Sequence, residues 1–449
     1  MVVAHDQAVG RLRESYELIP PGEPVRLAKR SSNLFRPRAA VDRPGLDVSK
    51  LTGVLGIDQA ARTADVQGMC TYEDLVAATL PHGLTPMVVP QLKTITLGGA
   101  VTGLGIESSS FRAGLPHESV LELDILTGAG DVVTARPSGE HADLFRMFPN
   151  SYGTLGYATR LTIELDRISP YVALRHVRLG LDELAPAIDE IVASSTYDGE
   201  PVQFVDGVAF SPSEAYLTLG RNSDAAVRTS DYTGQQIYYR SIQQRPTDFL
   251  TAHDYLWRWD TDWFWCSAAF GAQHPLVRRF WPRRYRRSRS YARLMRLERR
   301  FDLGDRLERL KRRPPRERVI QDVEIPIERT AEFLEWFLAN VPIEPIWLCP
   351  LRLRDDAAWP VYPIEPGRTW VNVGFWSTVP VGATEGETNR LIEAEVTRLD
   401  GHKSLYSDAF YGRDEFDALY GGDEYRAAKA RYNPDSRLLD LYAKAVQRR

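Results

Sequence analysis

"TLGGAVTGLGIESSSFRAG", residues 96–114, decides how this chain is read. It places Gly98, Gly99, Gly103, Gly105 and Gly114 in one run with three consecutive serines and a single carboxylate, Glu107. Glycine lets a main chain approach a ligand closely or take φ > 0, so the run reads as a cradle for something large and polar. The embedded "GLGIES" invites a dinucleotide-fold reading. That fingerprint needs a strand before it, a helix after it and an acidic residue about 20 positions on. The "SSSFRAGLPHES" that follows is a poor helix, which argues against it. A glycine turn without a ligand is the plainer alternative. Against it stand a second glycine loop at 153–156 and "RLAKRSSNLFRPR" at 26–38.

Outward from the run, the flanks alternate short strands, turns and helices. In "ADVQGMCTYEDLVAATLPHGLTPMVVP" (64–90), Thr71 can cap a helix whose stripe is Leu75, Val76, Thr79 and Leu80, closed by His82-Gly83. "SVLELDILTGAGDVVTARP" reads as a strand pair turning at Gly128 and Gly130. This first part is α+β, with the glycines expected in its loops rather than its helices. From about residue 169 a second α+β unit with an antiparallel sheet is expected. There "RHVRLGLDELAPAIDEIVAS" reads as strand then helix, and "VQFVDGVAFSPSEAYLTLGR" as a hairpin. "DYLWRWDTDWFWC" (254–266) alternates Tyr255, Trp257, Trp259, Trp263 and Trp265 with Asp254, Arg258, Asp260 and Asp262, which predicts a strand with an aromatic wall.

At 449 residues, with 43% hydrophobic and 26% charged side chains, the chain is an ordinary globular protein large enough for two domains. Cys70, Cys266 and Cys349 are too scattered for a disulfide framework or a zinc site, and none of the eight histidines shows the spacing of a helical metal site. No metal is expected. No apolar run is long enough for a signal or a membrane span, so a cytoplasmic chain is expected. His253 and His402 lie near elements of the second unit and stand as minor proton-donor candidates beside the plainer reading of satisfied histidines.

The net charge of −4 conceals an asymmetry. Residues 275–318 carry 18 lysines and arginines against 5 acidic side chains, while the rest of the chain carries 38 against 55. Within that segment Leu294, Leu297, Phe301, Leu307 and Leu310 fall near one helical face with Arg293, Arg296, Arg299 and Arg300 off it. This is a basic amphipathic helix suited to an anionic membrane surface. A solvated face is the plainer reading. Nucleic acid is disfavoured by the acidic remainder and the lack of a groove-reading element.

Five pieces together carry a family resemblance: "TLGGAVTGLGIESSSFRAGL", "GEHADLFRMFPNSYGTLGYATRLTIEL", "RVIQDVEIPIE", "EPIWLCPLRL" and "SLYSDAFYGRDEFDALYGGDEYRA". They resemble flavoproteins of the vanillyl-alcohol-oxidase (PCMH) type, and within these the sterol Δ24-reductase branch. The resemblance implies an α+β fold: a two-subdomain FAD-binding domain over 1–168, a substrate (cap) domain over 169–400 containing the basic segment, and a C-terminal segment, 401–449, returning to the flavin. It implies that Ser31, Ser32 and Asn33, the stretch Thr96, Leu97, Gly98, Gly99, Gly103, Gly105 and Ile106, then Glu107, Ser108 and Ser109, and finally Gly153, Thr154 and Gly156, contact FAD. Many relatives tether the flavin through a histidine where this chain has serines, asparagine and glutamate, so non-covalent FAD is implied.

The resemblance further implies reduction of an isolated carbon–carbon double bond in a lipid, with NADPH as electron donor. The lack of an N-terminal anchor and the basic segment favour the bacterial branch that reduces a 10-methylene fatty acyl chain on a phospholipid to its 10-methyl form. Such an enzyme would sit peripherally at the inner face of the cell membrane, with the upstream methyltransferase as a partner. A sterol Δ24-reductase-like enzyme or a flavin-dependent alcohol or sugar oxidase are the alternatives. Tyr406, oriented by Asp408, is the first proton-donor candidate, Glu107 the second, and Asp260 with Asp262 the third. Structural hydrogen bonding is the plainer role for each.

Overall fold

The computed structural model describes residues 2–29, 35, 45–301 and 314–448. The chain opens on a helix, Val2–Glu17, whose Ala8, Leu12 and Tyr16 recur every fourth residue and are buried against Leu46, Leu51, Leu126 and Leu438. An antiparallel sheet follows, ordered β1 (Val54–Asp58), β2 (Thr63–Gln67), β6 (Tyr157–Arg167), β4 (Val120–Leu126), β5 (Val132–Ala135), with β3 (Leu84–Pro86) also on β6. The helix Tyr72–Thr79 is capped by Thr71, whose side chain accepts from the Asp74 amide, and Gly83 at φ +66° turns the chain away after it.

The glycine run departs from the expected loop: Leu97–Gly103 is a helix. Thr96 caps it by accepting from the Gly99 amide, and Leu97, Ala100 and Val101 supply the i, i+3, i+4 apolar stripe. Gly98 leaves room for a neighbouring segment of main chain. A Cβ on Gly98 would lie 2.7 Å from the Gly68 carbonyl oxygen, and one on Gly68 would lie 1.9 Å from that of Ala158. Helix, connecting backbone and β6 therefore stack main chain on main chain, and the opposite side of the helix is left facing a cavity.

The second unit is an eight-stranded antiparallel sheet in the order β12 (Thr247–Thr251), β7 (Tyr171–Leu179), β11 (Glu214–Ser223), β10 (Phe204–Ser211), β14 (Ile346–Leu351), β15 (Trp370–Pro380), β13 (Arg316–Pro326), β16 (His402–Lys403). A short ladder pairs β8 (Thr196–Tyr197) with β9 (Glu200–Pro201). Helices Leu181–Ser194, Thr330–Asn340 and Glu387–Arg398 cover one face, packing Leu184, Ile188, Phe333, Phe337 and Ile392 on Val205, Val323 and Val373. The other face carries Trp347 and Trp376 into the core shared with the first sheet. The architecture is α+β, as expected. The last helices return to the first sheet, where Tyr425 donates to Thr154 Oγ1 (2.8 Å) and Lys444 to the Tyr152 carbonyl (2.8 Å).

Residues 254–266 do not form the expected strand. A helix, Ala252–Leu256, is followed by turns, with Trp263 and Phe264 at φ +48° and +57°. Both halves of the alternation are buried: Trp257, Trp259, Trp263 and Trp265, and equally Arg258, Asp260 and Asp262. The charged residues find partners far away in sequence, so no solvent face is needed. Asp260 accepts from the Lys93 amide (3.0 Å) and the Ser288 hydroxyl, and Asp262 pairs with Arg278 (2.6 Å).

Candidate functional site

A cavity of about 430 Å³ lies between the two sheets. One wall is the glycine helix and its continuation, Thr96, Gly98, Gly99 and Thr102 to Ile106, with Gly153 beside it. Arg26 and Lys29 add positive charge to the lining. Another wall is aromatic. Phe264 lies 4.3 Å from Trp376 and 5.5 Å from Trp347 between ring centroids, and Trp263 stacks on Phe35 at 5.7 Å.

Of the residues singled out from sequence, Thr96, Gly98, Gly99, Gly103, Gly105, Ile106, Gly153 and Tyr406 line this cavity. Leu97 points into the core below it. Thr154 is buried under Tyr425, and Gly156, at φ +150°, fits against Ile125 and the Leu126 carbonyl. Ser108 bonds to Tyr255 Oη (2.7 Å) and Ser109 donates to the Met87 carbonyl (2.8 Å). Ser31, Ser32 and Asn33 lie outside the described residues.

Glu107 is directed away from the cavity into a buried ion cluster. Arg258, 1% exposed, donates to Glu107 Oε1 and to Asp206 Oδ2, each at 2.9 Å, and stacks over Tyr255 at 4.2 Å. Trp259 and Trp347 donate their indole N–H groups to the same Asp206 oxygen, at 2.8 and 3.2 Å. Burial pushes the Glu107 carboxyl up and the Arg258 guanidinium opposes it. The cluster joins the segment after the glycine helix to β10, β14 and the tryptophan turns. Its geometry is that of a clamp under the cavity floor.

The two histidine candidates lie elsewhere. His253 is exposed and faces Asp254 (3.1 Å). His402 is packed between Tyr362 and Tyr420, where burial pushes its imidazole down to about 3, so it stays neutral. Asp408 is off the cavity wall, with Arg448 Nε 3.2 Å from its carboxylate and Lys403 donating to its carbonyl (2.5 Å).

The carboxylate beside Tyr406 is Asp322, on β13, which sequence reasoning missed. Tyr406 Oη accepts from Trp376 Nε1 (2.9 Å), and Asn372 donates to Asp322 Oδ1 (3.2 Å). Burial pushes the Asp322 carboxyl up to about 7, against the hydrogen bonds from Asn372 and Tyr406. Burial, and then the Asp322 charge, push the Tyr406 phenol well above its ordinary value. The signal was present in "VIQDVEI". Val319, Val323 and Ile325 face the helices, so Asp322 and Glu324, two residues apart, share the opposite face of one strand.

This site suits FAD. Among the described residues no hydrogen bond engages the amides of Leu104, Gly105 and Ile106, which follow the glycine helix on the cavity wall. Unengaged amides in a cavity that two cationic side chains also line match a pyrophosphate, and an apolar wall matches a ring system. Residues 21–136 match the family model described as FAD binding domain. Delta(24)-sterol reductase of Arabidopsis thaliana is 24% identical over 444 residues, covering 90% of this chain and 77% of the relative. The Homo sapiens protein of that name is 25% identical over 411 residues, covering 88% and 76%. Cytokinin dehydrogenase 10 of Oryza sativa subsp. japonica is 30% identical over a shorter span, 37% of this chain and 30% of its own length. An FAD binding domain thus lies at one end of a likeness to Delta(24)-sterol reductases that spans nearly the whole chain.

Proposed function

We propose that the protein reduces an isolated carbon–carbon double bond in a lipid, with FAD as cofactor and NADPH as electron donor. The observation that carries this reading is the juxtaposition of Asp322 and Tyr406 on an aromatic cavity wall that continues into the glycine helix. The names of the relatives support the reaction class. The favoured substrate is a 10-methylene acyl chain on a phospholipid. A trisubstituted sterol side chain, the substrate type in the relatives' name, is the competitor. Both alkenes place a tertiary carbon at the reacting bond, where positive charge is best tolerated.

FAD in its reduced form supplies the hydride for one alkene carbon. The protein's part is to supply a proton to the other and to hold the alkene dry. With Asp322 protonated, its O–H donates to Tyr406 Oη, which also accepts from Trp376. Two donors on one phenol oxygen make its proton easier to lose and leave that O–H free to point at the substrate. The proton passes from Tyr406 to the alkene carbon, and Asp322 restores it. Once Asp322 ionises, it accepts the phenol proton instead and withdraws it from the alkene. The rings of Trp263, Phe264 and Trp376 exclude water and present π faces to developing positive charge.

Incubating the FAD-loaded protein with NADPH and either methylene-branched phospholipid or a Δ24 sterol, followed by mass spectrometry, tests the proposal. Gain of two hydrogens by the branched lipid is expected. Gain by the sterol alone would transfer the assignment to the competitor, and gain by neither would overturn the reductase reading.

A further inference from the structure

Of the ten large apolar side chains exposed among the described residues, five lie in one short stretch: Leu276 (63%), Val277 (41%), Phe280 (80%), Tyr285 (41%) and Leu297 (50%). Arginines are interleaved with them. Arg279, Arg289, Arg293 and Arg296 are exposed and make no ion pair among the described residues, and Arg284 lies over the Tyr285 ring at 4.9 Å.

The stretch is a fixed platform. Arg278, 1% exposed, bonds Asp262 (2.6 Å) and the carbonyls of Tyr232, Gly234 and Gln236 (2.9 Å each). Arg286 donates to the carbonyls of Thr233 (2.5 Å) and Trp281 (2.8 Å). In the helix Ser288–Phe301, Tyr291 is buried, stacked between Phe270 and Trp281, while Leu297 faces outward. Of the expected apolar face, Leu294 is half-buried and Leu297 is exposed. Arg299, Arg300 and Phe301 have no described side-chain placement, and Leu307 and Leu310 lie outside the described residues.

A helix that merely faces water presents polar side chains outward; this platform presents leucine, valine and phenylalanine among unpaired guanidinium groups. We infer that the platform formed by residues 275–301 docks on a bilayer bearing anionic lipid. The apolar side chains enter the acyl region and the arginines meet the phosphates. A nucleic-acid backbone would meet the arginines but offer nothing to Phe280, Leu276 and Leu297. The surplus of acidic residues over the rest of the chain favours this face as the one turned toward a negative surface. Beneath it, Tyr291 and Trp281 share a cluster with Trp263 and Leu92, which line the cavity, so docking sets the membrane beside the site. The inference rests on charge and exposure alone and stands apart from the chemistry proposed above.

Flotation of the full-length, FAD-loaded protein with vesicles tests it, using phosphatidylcholine alone or mixed with phosphatidylglycerol. Binding to the mixed vesicles that weakens as salt rises, with little on phosphatidylcholine alone, is expected. Each engaged arginine contributes about fivefold to partitioning, so Arg279, Arg289, Arg293 and Arg296 all changed to glutamate should reduce binding by about two orders of magnitude or more. Phe280→Ser should weaken binding without altering its salt dependence. Flavin absorbance and melting temperature report folding of each variant. Equal flotation of the charge-reversed protein, no flotation of the wild type, or displacement from vesicles by duplex DNA at matched phosphate concentration would overturn the inference. None of these outcomes bears on the reductase assay, which can use detergent-dispersed lipid.

Discussion

Replacing Asp322 with asparagine keeps the shape of the side chain and its contact with Asn372 but removes the titration. In the wild type, burial moves this carboxyl from an ordinary 3.8 to about 7. That displacement corresponds to about 4 kcal/mol between its protonated and ionised forms. Two consequences can be measured. Turnover should fall about tenfold from one pH unit below the carboxyl's titration to one above, because only the protonated acid frees the Tyr406 proton. Asp322→Asn can still donate to the Tyr406 phenol but cannot restore its proton, so it should lose about 100-fold or more at the lower pH and show a flat profile, general acid catalysis contributing about 10²–10⁴-fold. Stability gives a second reading. The folded-state value lies above the unfolded one, so the stabilising contribution is complete below the ordinary 3.8 and is lost as pH rises through about 7. The variant has no such loss, and its melting temperature should exceed that of the wild type increasingly over this window, by several degrees at the alkaline end. Steady-state turnover against pH and thermal melts of both proteins decide it. A wild-type profile flat through neutrality, with melting curves that stay parallel, would refute the reasoning.

Other perturbations probe separate parts of the account. Tyr406→Phe should retain FAD yet lose about 100-fold or more in turnover, with wild-type lipid binding; unimpaired turnover would remove the phenol from the proton path. Gly98→Ala would put a Cβ 2.7 Å from the Gly68 carbonyl oxygen, so the purified protein should carry less flavin, whereas Gly10→Ala, with open space around it, should not differ from wild type. Arg258→Met leaves Glu107 and Asp206 buried without their cation. It should cost about 3–5 kcal/mol, seen as a lower melting temperature, and adding Glu107→Gln with Asp206→Asn should recover part of it.

Much of the first unit was legible because its signals are local. Thr71 caps within three residues, Gly83 takes a left-handed turn, and β4 and β5 meet at Gly128 and Gly130. The hairpin of β10 and β11 and the strand-helix order of β7 and Leu181–Ser194 followed equally from local pattern. The glycine helix was hidden by its own composition, since glycine is a poor helix former and only the packing of Gly98 against Gly68 explains why a glycine is needed at that position. The tryptophan stretch misled because period two was taken for a strand with one wet face. Its charges are satisfied by Glu107, Asp206, Arg278 and Ser288, which are 16 to 151 residues distant. Of the positions the family resemblance put beside a flavin, Thr96, Gly98, Gly99, Gly103, Gly105, Ile106 and Gly153 line the cavity, whereas Leu97, Glu107, Ser108, Ser109, Thr154 and Gly156 turn into the packing around it. The partner of Tyr406 was not: Asp408 is two residues away in sequence, while Asp322 arrives only when β13 enters the second sheet.

The central claim is that electrons pass through a flavin in this cavity to a lipid double bond. Under anaerobic conditions the visible spectrum of the FAD-loaded protein should bleach on addition of NADPH and recover on addition of methylene-branched phospholipid, but not of its saturated counterpart. A flavin that NADPH leaves oxidised, or one that reoxidises rapidly with oxygen while ignoring both lipids, would contradict the account and point to the oxidase chemistry instead.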